Sequence, residues 1–135
     1  MASGGMQRLR SLFPKAKPVI LVVEDEPATQ FILEHYLDEH GFTVVAAGCS
    51  AEAMTVLAHM PSIAALFTDV NLPGMNGYAL AQLARETYPK LPIILGSGSG
   101  LATALPLGDG YCFFMKPYDF PKIAQHIHRV VGTAV

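Results

Sequence analysis

Residues 19–27 read VILVVEDEP, and the class of fold follows from this stretch. Val19–Val23 is a continuous apolar run of strand length, with no polar residue on either face. A strand of that kind belongs in the middle of a covered sheet, where both faces are buried. Glu24, Asp25 and Glu26 follow without a spacer, and Pro27 stands where a first helical turn tolerates it. The strand therefore ends in charge and hands over directly to a helix.

The rest of the chain repeats this alternation. Ile32, Leu33, Tyr36 and Leu37 recur at helical spacing up to His40, and Gly41 is placed to close that helix as a C′ glycine. Thr43–Ala47 reads as a second strand. Ser50 is suited to cap a helix that runs to about His59, short of Pro61. Ile63–Phe67 is the third strand and is followed by a turn-rich stretch, Asn71–Gly77. A helix over Tyr78–Tyr88 turns Leu80, Leu83 and Ala84 inward, Pro92–Leu95 is the fourth strand, and Tyr111–Met115 is the fifth. A last helix, about Phe120–Val131, carries Ile123, Ile127 and Val130 on one stripe. Strands that are apolar throughout require helices on both faces of a parallel sheet. The expected fold is α/β: a three-layer, doubly wound, flavodoxin-like sheet of five strands in the order 2-1-3-4-5.

Composition sets the outer limits. The chain has 135 residues, 51% hydrophobic and 15% charged, which suits one folded domain with a real core and excludes a disordered or fibrous protein. No apolar run approaches the roughly 18–20 residues needed to span a bilayer, and no secretory signal pattern is visible at the start. Residues 1–17 are basic, bear Gly and Ser, and include Arg8, Arg10, Lys15 and Lys17. They are read as an extension, with the domain at 18–135. Without those four bases the remainder carries five bases against eleven acids, a poor balance for holding nucleic-acid phosphates. No nucleic acid or membrane partner is expected. Cys49 and Cys112 lie in apolar surroundings as small hydrophobes rather than as a disulfide, and the cytoplasm is the expected compartment.

In doubly wound sheets the working crevice lies at the carboxyl ends of the strands. Here those ends carry Glu24, Asp25 and Glu26 after the first strand, Asp69 after the third, Gly96-Ser97-Gly98 after the fourth, and Lys116-Pro117 after the fifth. Each has a local explanation when taken alone. Acids favour helix N-termini, Asp before Asn-Leu-Pro-Gly forms turns, and a lysine at a strand end is often only solvated. Together they make a complementary set. Two carboxylates about 4 Å apart repel by roughly 4 kcal/mol at an effective dielectric near 20, so the cluster calls for a cation, and hard oxygen ligands with room for water suit Mg²⁺. A carboxylate beside such an ion can attack phosphorus to give an aspartyl phosphate, with the Lys116 ammonium and the Ser97 hydroxyl as partners for the phosphoryl oxygens.

The stretches 19–27 (VILVVEDEP), 67–77 (FTDVNLPGMNG), 92–98 (PIILGSG) and 113–117 (FFMKP) together resemble the receiver domain of two-component response regulators. The resemblance covers about residues 18–131. It implies that Asp69 accepts the phosphoryl group and that Glu24, Asp25, Asp69 and the backbone carbonyl of Asn71 surround Mg²⁺. Ser97 takes the family's Thr/Ser position, Lys116 its lysine and Phe113 its aromatic switch position, and the Lys116–Pro117 bond is expected to be cis. The same resemblance implies a phosphohistidine donor on a histidine kinase or histidine phosphotransfer protein, docking near Ala28, Phe31, Pro117 and Tyr118. The domain would then catalyse only its own aspartyl phosphorylation and dephosphorylation, and would not be an enzyme in the wider sense.

The sequence departs from the family pattern between Ser97 and Lys116. Pro106 and a run of glycines oppose the usual fourth helix, leaving at best one turn over Leu101–Leu105. In this the chain resembles the subset of receivers whose fourth helix is short or missing and whose Thr/Ser is followed by glycine, and the loop Gly96–Gly110 is expected to read the signal by ordering. No output segment follows Val135, so a single-domain regulator acting on an unknown downstream protein by contact is expected, with homodimer formation left open. Its rival is a receiver-shaped interaction module that works without phosphorylation. Other readings fall short. The glycines at 96–100 lack the GxxxxGK[ST] arrangement, Asn71 stands where a phosphatase of the strand-end Asp type usually has a second Asp, and His126 and His128, two apart, do not share a helix face.

Overall fold

The computed structural model describes residues 17–98 and 110–132. The N-terminal extension, a turn of helix at Leu101–Leu105 and most of the Gly96–Gly110 loop lie outside those residues. In chain order the elements are β1 (Val19–Val23), α1 (Pro27–Glu39), β2 (Thr43–Ala47), α2 (Ser50–His59), β3 (Ile63–Asp69), α3 (Gly77–Thr87), β4 (Ile93–Ser97), β5 (Tyr111–Met115) and α4 (Phe120–Val131). All four strand pairings are parallel, and the order is β2-β1-β3-β4-β5, as the sequence predicts.

Two cores form because successive strand residues face opposite ways. Leu21, Val23, Leu66, Ile93 and Leu95 point towards α2 and α3, where they meet Ala53, Leu57, Leu80 and Ala84. Ile20, Val22, Ala65, Phe67 and Ile94 point towards α1 and α4, where they meet Leu33, Leu37, Ile123 and Ile127. Each fully buried Leu, Ile or Phe contributes about 1.5–3 kcal/mol relative to its exposed state, so these two layers hold the sheet between its helices.

Several boundaries differ from the sequence reading. β3 runs on through Thr68 and Asp69, and β4 through Gly96 and Ser97, because Asp69 pairs in register with Gly96 and backbone pairing needs no apolar side chain. Ser50 is not the cap of α2. Cys49 holds that position, and the Ser50 hydroxyl instead donates to the Met75 carbonyl at 2.6 Å, tying α2 to the β3–α3 loop. Leu83 is only half-buried and Ala81 takes its inward place. Val130 is exposed while Ala124 is buried, so the α4 stripe is Ile123, Ala124 and Ile127. The free thiols Cys49 and Cys112 stand just past β2 and within β5, at opposite edges of the sheet. No helix among the described residues is long and apolar enough to cross a membrane.

Gly77 fixes how α3 leaves the sheet. Its N–H donates to the Val70 carbonyl at 2.8 Å, and a Cβ there would strike the Asp69 carbonyl and come within 2.8 Å of Val70 Cα. Those obstacles are backbone and cannot rotate away. Gly77→Ala is therefore expected to lower stability by about 1–3 kcal/mol, as overpacking does, read as a fall in the urea midpoint. An unchanged midpoint would show that the β3–α3 loop shifts freely.

Candidate functional site

Side-chain parity explains which residues converge. Asp69 lies on the same face of β3 as Ala65 and Phe67, the face covered by α1 and α4. Register partners share a face, and the same count places Glu24 with Val22, Gly96 with Ile94, and Lys116 with Phe114. All four stand at the carboxyl end of the sheet. Ser97 and Phe113 fall on the opposite parity, with Leu95.

Glu24 and Asp69 are 1% and 2% exposed. Lys116 Nζ donates to Asp69 Oδ2 at 2.7 Å and lies 3.6 Å from Glu24 Oε1. The Asn71 N–H donates to Asp69 Oδ1 at 2.9 Å, and the Glu26 N–H to Glu24 Oε1 at 3.3 Å. Glu24 Oε2 is buried with no hydrogen-bond partner. Asp25 is exposed at the rim, and one oxygen from each of Glu24, Asp25 and Asp69 lies within 4.8 Å of the others. Three hard oxygen donors, from a carboxylate pair that is buried and a third at the rim, fit a small divalent cation such as Mg²⁺, and the same Glu24 carboxylate carries the unpartnered buried oxygen. Buried polar atoms are otherwise almost always paired.

The electrostatics agree. Burial, then the charge of neighbouring Asp69, push Glu24 up to about 7 from its ordinary 4.5, against the pull of Lys116 and the Glu26 N–H. Burial works to lower the Lys116 pKa, but the hydrogen bond to Asp69 and the charges of Glu24, Asp69 and Glu26 outweigh it and hold the ammonium above its usual value. Folded Glu24 thus binds its proton more tightly than unfolded Glu24 does. Its contribution to stability is fully present below about pH 4.5 and is lost as pH rises to about 7. The ion-free protein is expected to lose thermal stability over that window in chelator, and Mg²⁺ to restore it most above pH 7. A flat profile with chelator would contradict this arrangement.

The remaining predicted residues are more scattered. Ser97 is buried at the end of β4, where its carbonyl accepts the Lys116 N–H at 2.9 Å. Phe113 is half-buried with its ring 6.1 Å from that of Tyr78. The Lys116–Pro117 bond is cis, as expected. Ala28 and Pro117 are exposed and Phe31 is 68% exposed, whereas Tyr118 is half-buried with its ring edge-on to Phe67. The roles of two residues escaped the sequence reading. Gly96 makes room for Tyr118, as a glycine inside an apolar strand can signal. Arg85 reaches from α3 to the Leu91 carbonyl at 2.7 Å and the Gly110 carbonyl at 3.0 Å, with its guanidinium 4.5 Å over the Tyr111 ring.

A parallel sheet in this order, covered on both faces, defines the flavodoxin-like class, with its crevice at the strand ends where the acids and the lysine meet. Residues 20–128 match the family model of the response regulator receiver domain, and the chain belongs to that family, whose members serve two-component signalling. It is 33% identical over 117 residues to the two-component response regulator ARR14 of Arabidopsis thaliana, covering 82% of this chain and 31% of that protein. It is 30% identical over 116 residues to a putative response regulator NtrX-like protein of Rickettsia bellii, covering 82% of this chain and 24% of that one. The match thus spans only about a quarter to a third of these relatives. A response regulator receiver protein from Sinorhizobium medicae superposes with a TM-score of 0.79 at 25% identity, covering 86% of this chain and 95% of that one.

Proposed function

We propose that Asp69 accepts a phosphoryl group from a phosphohistidine on a histidine kinase or histidine phosphotransfer protein. The observation that carries this reading is the pairing of Lys116 Nζ with Asp69 Oδ2 beside the orphaned Glu24 Oε2. In the transfer an Asp69 carboxylate oxygen forms the new bond to phosphorus, the phosphorus–nitrogen bond of the donor breaks, and its electron pair returns to the imidazole, which takes up a proton. Lys116 turns its ammonium to an oxygen of the transferring group, where charge develops. The Ser97 hydroxyl takes another, and the Asn71 N–H keeps Asp69 oriented. Glu24, Asp25, Asp69 and the Asn71 carbonyl hold Mg²⁺, which when bound neutralises charge on the phosphoryl oxygens. Water later hydrolyses the aspartyl phosphate and returns the carboxylate.

Exposed Phe31, Ala28 and Pro117 suit docking of the donor, and output runs through protein contact. Incubation of the full chain with a small phosphodonor and Mg²⁺, followed by intact mass, tests the proposal. One added phosphoryl group, absent when chelator replaces Mg²⁺ during the incubation, is the expected result. A protein that stays unmodified while still binding a partner would be an interaction module instead.

A further inference from the structure

Tyr118 follows Lys116 by two residues and lies beneath the site. Its ring stands edge-on to buried Phe67, with centroids 5.4 Å apart, and Lys116 Nζ lies 5.7 Å from its centroid. Its hydroxyl ends against Gly96, where a Cβ would collide with the Tyr118 Oη and come within 2.7 Å of Cζ. Gly96 is the register partner of Asp69, and side chains of neighbouring partners leave the sheet on one face, about 4.8 Å apart. The phenol oxygen therefore occupies the place of the side chain that would stand next to Asp69.

That hydroxyl is buried and makes no hydrogen bond. Both Asp69 oxygens already have donors, Oδ1 from Asn71 and Oδ2 from Lys116. Burial, followed by the charges of Asp69 and Glu24, keeps the phenol protonated by raising its pKa, so it faces the site as a donor. A glycine is given up in a strand, where it weakens the sheet, to seat a polar atom left without a partner. Phenylalanine would fill most of the same space without that atom. One site thus holds an acceptor and a donor that no protein group pairs. Glu24 Oε2 and Tyr118 Oη are its two buried side-chain oxygens without a protein hydrogen-bond partner among the described residues.

We propose that Tyr118 is a positioning residue for loaded Asp69: when Lys116 turns from Asp69 Oδ2 to an incoming oxyanion, the Tyr118 hydroxyl donates to the Asp69 oxygen that the lysine leaves. The loaded side chain then keeps a donor at each of its two oxygens, Asn71 at Oδ1 and Tyr118 at Oδ2. This rests on the reading of Asp69 as the phosphoryl acceptor.

Beryllofluoride, a tetrahedral phosphoryl mimic, titrated into the full chain with Mg²⁺ present tests the inference in wild type and Tyr118→Phe, with the thermal midpoint of each unloaded protein measured alongside. A hydrogen bond to a charged or strongly polarised oxygen is expected to be worth about a tenfold change in affinity or more. Tyr118→Phe should bind the mimic about tenfold more weakly while its unloaded midpoint stays level or rises, since the unpaired hydroxyl is gone. Wild-type affinity in the variant overturns the inference, whatever its midpoint. If wild type itself ignores beryllofluoride, the acceptor reading fails and the inference falls with it. Binding by wild type and variant alike defeats the inference alone.

Discussion

Asp69→Asn is expected to abolish labelling by a small phosphodonor while leaving the fold standing. The amide keeps the size and shape of the carboxylate, so Phe67 below it and the α1–α4 face are undisturbed. Its oxygen still accepts from a neighbour, but it is a poor nucleophile towards phosphorus. Two electrostatic changes accompany it with opposite signs. The ion pair to Lys116 at 2.7 Å is lost, and so is the repulsion that helps raise Glu24. Each is of the order of 4 kcal/mol at an effective dielectric near 20 and a separation near 4 Å. The balance is expected to leave stability within about 2 kcal/mol of wild type, and Glu24 to titrate closer to its ordinary range. Labelled Asp69→Asn protein, with the phosphoryl group mapped elsewhere, would refute Asp69 as acceptor.

Lys116→Ala carries the largest expected effect on stability. The ammonium is the cationic side chain bridging Asp69 and Glu24 in the described site, and its removal leaves two buried carboxylates facing one another. Taking one partner from a buried ion pair destabilises by about 3–5 kcal/mol. Here Glu24 provides relief. Already pushed up to about 7, it rises further without the lysine, and below that range a proton takes over the role of the ammonium. The loss should therefore be modest at about pH 5.5, approach the full figure at about pH 8.5, and shrink again when Mg²⁺ is added. Urea unfolding at the two pH values measures it. Equal losses at both, unaffected by the ion, would mean that the carboxylates do not sense each other.

Much of this was readable from side-chain type alone. β1, β3 and β4 are covered on both faces, so Val19–Val23 and Ile63–Phe67 announce themselves as unbroken apolar runs. The acids and the lysine were legible because each follows such a run directly. What escaped was set by neighbours distant in sequence. Thr68, Asp69 and Ser97 look like turn residues, yet register with an adjacent strand keeps them in the sheet. Ser50 reads as a cap by local rules, but Met75 claims its hydroxyl. Tyr118 was read as a docking surface, and only the gap left by Gly96, twenty-two residues earlier, turns its hydroxyl inward. No periodicity encodes such a fit between a hole on one strand and a group on another.

The Arg85 contacts bear on how the molecule tolerates change. One guanidinium from α3 grips the carbonyl just before β4 and the carbonyl just before β5, and lies over the Tyr111 ring. The edge strand is thereby anchored at its entry point by a residue outside the β4–β5 connection. From that anchor the chain runs five residues in fixed register to Lys116. A connection altered in length or composition is therefore expected to leave the amine at the far end of the strand opposite the acids.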